Sequence, residues 1–157
     1  MTELLPFLKE LLSAPGLSGY EDPAAKIIES KWRPLVHEIS RGKLGSLHGL
    51  RRGTGQEPRP SVMVATHMDG IGMMVTGITD GFLRITQIGG VDVRILPGTP
   101  VNIHASGTST AGTGATRSGT NGTGASPLPG VVAQPPARLL PEEERENPVA
   151  LEHLFVD

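Results

Sequence analysis

The chain has 157 residues, enough for one domain or parts of two, and its formal net charge of −2 argues against a nucleic-acid partner or an anionic membrane. It contains no cysteine, so disulfides and thiolate metal sites are excluded and a reducing compartment is expected. Because no apolar run approaches the roughly 18 residues of a membrane span, and Glu3 and Lys9 interrupt the N-terminus, we expect no membrane partner and a cytoplasmic location.

Two helices are predicted in the first 32 residues. Residues 3–12 place five leucines at helical spacing (Leu4, Leu5, Leu8, Leu11 and Leu12). The stretch "SAPGLSG" ends that helix, and a second runs from about Glu21 to Trp32. Its start has two interpretations: Ser18 with Glu21 fits a capping box, whereas Asp22 with Pro23 fits an N-cap followed by a first-turn proline.

Three strands are predicted next, in "VHEIS", "SLHGL" and "SVMVAT". The last of these, residues 61–66, is apolar on both faces, which is typical of a strand buried between helices. Two helices followed by such a strand predict an α/β fold with a parallel sheet, and residues 1–69 are assigned to the first part of that domain.

From Gly70 onward the pattern changes to short strands separated by the turn sequences "TDG", "IGGVD" and "LPGT". Residues 70–150 are therefore predicted to form a small inserted β-barrel or sandwich. Within it, the Gly, Ser and Thr-rich tract 106–126 lacks apolar residues that could offset its ordering entropy, so a flexible loop is expected there. Residues 151–157, "LEHLFVD", again predict a strand, interpreted as the return to the α/β domain.

A histidine and an aspartate stand at the end of the apolar strand, in "VATHMDGIGMMV". In an extended chain His67 and Asp69 are two residues apart and their side chains share a face, so the carboxylate can orient a metal-binding imidazole. Ligands of open α/β sheets also bind beyond the carboxyl ends of strands. The alternative is a capped strand end, with His67 bonded to a backbone carbonyl and Asp69 opening a turn. Because one histidine is not a metal site, the pair alone favours this alternative.

A series of segments resembles peptidase family M42, the TET-type glutamyl and deblocking aminopeptidases, some labelled endoglucanases. "LLSAPGLSGYEDP", "LGSLHGLRRG" and "VMVATHMDGIGMMV" are similar to the family's N-terminal segment, strand pair and first metal-ligand strand. "DGFLRITQIGGVD", "LPGTPVNI", "PGVVAQPPARLL" and "LFVD" then follow in the family's order. The chain departs from the pattern at Gly70, where the family usually has glutamate, and at the long tract 106–126.

The resemblance implies an aminopeptidase that acts on peptides with a free N-terminus and uses two divalent ions, zinc or cobalt. In such a site a metal-activated water attacks the scissile carbonyl with a glutamate as general base. By position, His67 matches a metal-ligating histidine and Asp69 the carboxylate that orients the site. The family's other ligands follow the strand that "LFVD" resembles, so this chain alone is expected to be inactive. The resemblance also implies a homo-oligomer assembled through the β-domain.

No other residues are predicted to complete the site. The acidic run "PEEERE" follows Pro141 without an adjoining apolar strand and is interpreted as a solvated helix start. The remaining histidines lack a ligand partner at a recognised spacing (His37, His48, His104 and His153). Two hypotheses remain: the N-terminal portion of an aminopeptidase, or a non-catalytic remnant or assembly module. Polysaccharide hydrolysis would need a pair of carboxylic acids that no segment nominates.

Overall fold

A computed structural model describes residues 4–105 and 126–157. The chain divides into two compact units, Met1–Gly70 and Ile71–Asp157, which are treated separately below. The predicted loop at 106–126 falls on residues 106–125 that lie outside the described part of the chain.

The first unit contains two α-helices and one β-hairpin. Helix α1 spans Leu4–Ser13 and α2 spans Asp22–Trp32, so both predicted helices are confirmed. Strands β1 (Glu38–Arg41) and β2 (Leu47–Leu50) pair in antiparallel orientation. The hairpin lies against α2 at Gly49, where an added Cβ would stand 2.8 Å from the Trp32 ring, so only glycine permits this close approach. Across the described residues, neither helix is long and apolar enough to cross a membrane.

Neither predicted start of α2 describes its N-terminus fully. The N-cap position is Glu21, which makes no side-chain capping bond, and proline occupies the first turn. The Glu21 carboxylate instead accepts a hydrogen bond from the Gly19 N–H at 2.7 Å. The capping box is therefore wrong, and the Ser18 hydroxyl donates elsewhere.

The buried strand predicted at residues 61–66 does not form. These residues belong to no strand, and Val62, Met63 and Val64 are 90%, 89% and 91% exposed. A strand needs neighbours for its backbone N–H and C=O groups. No strand of the described residues pairs with this segment. A single isolated parallel bridge occurs just beyond it, between Leu17 and Gly70. An apolar run shows that burial would be favourable, but not that a partner strand lies beside it.

The second unit is built on one five-stranded sheet. Its strands, β3 (Gly72–Thr79), β4 (Phe82–Ile88), β5 (Pro100–Ile103), β6 (Leu128–Ala133) and β7 (Phe155–Val156), lie in the order β3-β4-β7-β6-β5. All neighbouring pairs are antiparallel. The α/β class is confirmed, but within the described ranges both sheets are antiparallel, and β3 and β5 are not paired to close a barrel. The parallel sheet and the barrel are thus not confirmed.

The turn between β3 and β4 illustrates how local chemistry shapes this sheet. Thr79 faces Phe82 in the ladder, so the loop contains only Asp80 and Gly81. Both adopt positive φ angles, 52° and 89°. Two consecutive residues of this kind form the turn that matches the twist of a hairpin, and the Asp-Gly sequence is among the most favourable for it. The turn predicted at "TDG" is confirmed.

The core of the second unit is a cluster of five buried apolar side chains: Ile85, Leu96, Val132, Leu154 and Val156. Two of them flank or belong to β7, which pairs with β4 on one side and β6 on the other. Residues 155–156 therefore belong to the sheet of the β unit in this structure, whereas the sequence predicts that 151–157 return to the α/β domain. Their alternation identifies a strand, but it cannot identify the sheet that the strand enters.

Candidate functional site

The His67 side chain is 83% exposed, and its ring contacts Asp69 through one nitrogen, Nδ1. Its Nδ1 lies 3.0 Å from the Asp69 carbonyl oxygen and 3.3 Å from Asp69 Oδ1. Both neighbours are hydrogen-bond acceptors, so the neutral ring carries its proton on Nδ1. The lone pair of Nε2 is consequently free, and Nε2 is the atom through which this imidazole can bind a metal ion.

The Asp69 carboxylate has a partner on each oxygen. Oδ1 faces the His67 ring, and Oδ2 accepts a hydrogen bond from the Ser18 hydroxyl. The bond from Ser18 is the main cause that lowers the pKa of Asp69 below its ordinary value of 3.8, and the contacts with its own backbone and with His67 act in the same direction. The carboxylate is therefore ionised at neutral pH and can stabilise the Nδ1–H form of the imidazole.

The loop that carries Ser18 is tied to the His67 segment by the backbone. The Gly70 N–H donates to the Gly16 carbonyl at 2.6 Å, and this contact belongs to the parallel bridge between Leu17 and Gly70. The local sequence does not predict this contact of Ser18, because Ser18 with Glu21 also fits a capping box, one of the two starts considered for α2. The available signal was its position in "LLSAPGLSGYEDP", the N-terminal segment of the family resemblance.

The structure brings His67 and Asp69 together, as predicted, but on an exposed irregular segment rather than at the end of a buried strand. The carboxylate contact fits the metal-site interpretation and the backbone-carbonyl contact fits the capped strand end, and the His67 ring makes both. At Gly70, an added Cβ would meet only the Gly16 carbonyl oxygen, at an ordinary 3.7 Å. The backbone at Gly70 therefore leaves room for a Cβ.

A complete metal centre is not assembled within residues 4–105 and 126–157. No three His, Asp or Glu side chains in these ranges are grouped so that they could hold an ion. His153 Nε2 instead lies 2.9 Å from Glu144 Oε2, and His37 Nδ1 accepts the Arg52 N–H at 3.0 Å. A catalytic zinc normally has three protein ligands, so the donor set fits one ligand of such a site and no closed centre.

Comparison with known proteins gives a consistent result. Residues 45–120 match the model of the family described as M42 glutamyl aminopeptidase. The chain is 30% identical to the FrvX protein of Escherichia coli over 154 residues, which cover 98% of this chain and 37% of that protein. It is 38% identical to the lysyl aminopeptidase of Pyrococcus furiosus over 86 residues, 54% of this chain and 24% of that enzyme. The chain thus spans well under half the length of these relatives.

Solved structures of aminopeptidases are also similar to this chain. A TET aminopeptidase from a marine sediment archaeon of the Thaumarchaeota superposes on 98% of this chain and 38% of its own, with a TM-score of 0.76 and 27% identity. PhTET1-12s, a dodecamer, covers the whole chain and 39% of its own, with a TM-score of 0.68 and 28% identity. The class of protein that the chain resembles is therefore an aminopeptidase with this α/β fold. The resemblance to peptidase family M42 predicted from the sequence is confirmed.

Proposed function

We propose that this chain forms the N-terminal portion of an M42-type aminopeptidase that removes N-terminal residues from peptides. In this proposal His67 is a metal ligand through Nε2, and Asp69 is the carboxylate that orients it. The observation that carries the proposal is the His67–Asp69 pair, with Nδ1 engaged and Nε2 free, inside the segment that matches the family model. The contact between His67 and Asp69 needs no neighbouring strand, because the two residues are two positions apart, and the other partner of the Asp69 carboxylate is the Ser18 hydroxyl.

The chemistry assigned to the residues present is limited. The two divalent ions implied by the family resemblance, zinc or cobalt, would supply Lewis acidity and an activated water when bound. Asp69 fixes the tautomer of His67 and increases the basicity of its free nitrogen. A single imidazole binds divalent ions weakly, so turnover requires further ligands in addition to those brought together in the described ranges.

The alternative function is an assembly module without catalysis. It is favoured by the incomplete ligand set among residues 4–105 and 126–157 and by the similarity to PhTET1-12s, which is a dodecamer. In this hypothesis the β unit would form a homo-oligomer through surfaces such as its end strands, β3 and β5. Both hypotheses keep the cytoplasmic location as a prediction.

Cobalt binding tests the role of His67. In the purified 157-residue chain, we expect Co²⁺ to broaden the imidazole resonances of His67, and His67→Ala to remove that response. His104→Ala is the matched control, since His104 is also exposed. Broadening centred on His104, or none at His67, would contradict the proposed ligand.

Catalysis is tested by supplying the segment that this chain does not match. The C-terminal remainder of the Pyrococcus furiosus lysyl aminopeptidase, co-expressed with this chain, should give a complex that hydrolyses aminoacyl anilides. That activity should be lost in His67→Ala and retained in His104→Ala. A stable complex with bound metal and no hydrolysis would favour the assembly module, and hydrolysis by the 157-residue chain alone would show that its ligand set is already complete.

A further inference from the structure

We propose that Ser18 is a positioning residue for the His67 site: its hydroxyl holds the Asp69 carboxylate so that the imidazole presents Nε2. This inference rests on the proposed function, since it concerns the same histidine. Its structural part, the control of the ring tautomer by Ser18, can nevertheless be measured without any metal.

A short series of polar contacts runs from Ser18 through the Asp69 carboxylate to His67. Ser18 Oγ–H donates to Asp69 Oδ2, and the other carboxylate oxygen lies 3.3 Å from His67 Nδ1, which also contacts the Asp69 backbone carbonyl oxygen at 3.0 Å. The terminal torsion of an aspartate has broad minima, so it fixes the orientation of the carboxylate only loosely. The Asp69 side chain is 38% exposed, so packing alone does not fix its orientation. The bond to Ser18 holds the plane of the carboxylate so that its other oxygen faces the imidazole.

The position of Ser18 does not depend on its own hydroxyl. The Gly70 N–H to Gly16 carbonyl bond of 2.6 Å holds the loop against the His67 segment, and the Tyr20 N–H donates to the Leu17 carbonyl at 2.7 Å. Gly19 follows with a φ of 86°, a left-handed conformation suited to glycine that turns the chain toward α2. Removing the hydroxyl therefore removes the contact with Asp69 and leaves the backbone that carries it.

A purely structural role as a helix cap is not supported. The N-cap position of α2 is Glu21, and the Ser18 hydroxyl makes no capping bond to the helix. The partner of Ser18 is 51 residues away in the sequence, on the segment that carries the proposed ligand. Residues that hydrogen-bond to the partner of a metal ligand, without contacting the metal, help to orient the ligand and change its affinity for the metal.

The test measures the tautomer of His67 by long-range ¹H–¹⁵N NMR of the imidazole, at a pH where the ring is neutral. The unmodified chain should show the proton on Nδ1. Ser18→Ala should shift the population toward the Nε2–H form that a free imidazole favours, and Ser18→Thr should restore the original spectrum because it keeps the hydroxyl. Ser30→Ala is the matched control, since the Ser30 hydroxyl donates only to the Ile27 carbonyl within α2, at 2.8 Å.

A second readout is the affinity of His67 for Zn²⁺, measured by monitoring the imidazole resonances of His67 during a Zn²⁺ titration. Loss of an outer partner of a metal ligand typically lowers affinity 10–100-fold, and we expect Ser18→Ala to fall near the lower end, about 10-fold, because Asp69 remains. An unchanged tautomer in a folded Ser18→Ala chain, or a Ser18→Thr spectrum that matches alanine, would overturn the inference. If the tautomer shifts as expected but no variant binds Zn²⁺ at His67, the positioning role stands and the proposed metal role fails.

Discussion

Truncating Leu154 should destabilise the second unit strongly. Its side chain is 1% exposed and belongs to the buried cluster between β4, β6 and β7. Leu154→Ala removes three carbon atoms, about 2.4 kcal/mol of transfer free energy at about 0.8 kcal/mol each. The cavity left behind raises the expected loss in the free energy of unfolding to about 2.7–5 kcal/mol. With a urea m-value of about 1–3 kcal/mol per M, the unfolding midpoint should fall by about 1–5 M.

The assay is urea denaturation followed by far-UV circular dichroism, together with hydrogen exchange of peptides from β4 and β6. Trp32, the only tryptophan, lies in the first unit and reports its unfolding separately by fluorescence. The matched control is Leu139→Ala, because Leu139 is 69% exposed and its truncation should change stability by less than about 0.5 kcal/mol. Equal losses for the two leucines, or unchanged exchange in β4 and β6, would refute the placement of Leu154 in the core.

Two further predictions concern the same unit. Gly130→Ala places a Cβ 2.7 Å from Val156 and 2.9 Å from Ile103, so overpacking should lower the free energy of unfolding, measured by urea denaturation, by about 1–3 kcal/mol. Gly77→Ala is the control, because an added Cβ there has no atom within 4 Å, and it should cost clearly less. The reverse order would contradict the packing of β5, β6 and β7. Hydrogen bonds from Arg94 lower the pKa of Asp92 to about 2. Because its folded pKa is depressed, the Asp92 carboxylate stabilises the fold above its ordinary value of 3.8 and loses that effect as pH falls toward about 2. Asp92→Asn should therefore show a smaller fall in urea midpoint between about pH 5 and about pH 2.5, and an identical fall would exclude the ion pair with Arg94 as a contributor.

The features that the sequence predicted correctly depend on residues close together in the chain. Helix α1, predicted from its leucine spacing, and the Asp80-Gly81 turn each arise from local sterics and periodicity. The closeness of His67 and Asp69 is of the same kind, since only Met68 lies between them and little chain entropy is lost when they come into contact.

The features that only the tertiary structure decided join distant segments. Residues 61–66 carry the composition of a buried strand, yet they lie exposed because no described strand pairs with them. Residues 155–156 read as a strand in isolation, and only the order β4-β7-β6 shows which sheet they complete. Ser18 is a plausible helix cap by its local sequence, but its hydroxyl reaches Asp69, 51 residues away. Local patterns state which conformation a segment favours, whereas its partner depends on contacts between segments far apart in the chain, which no short window of sequence contains.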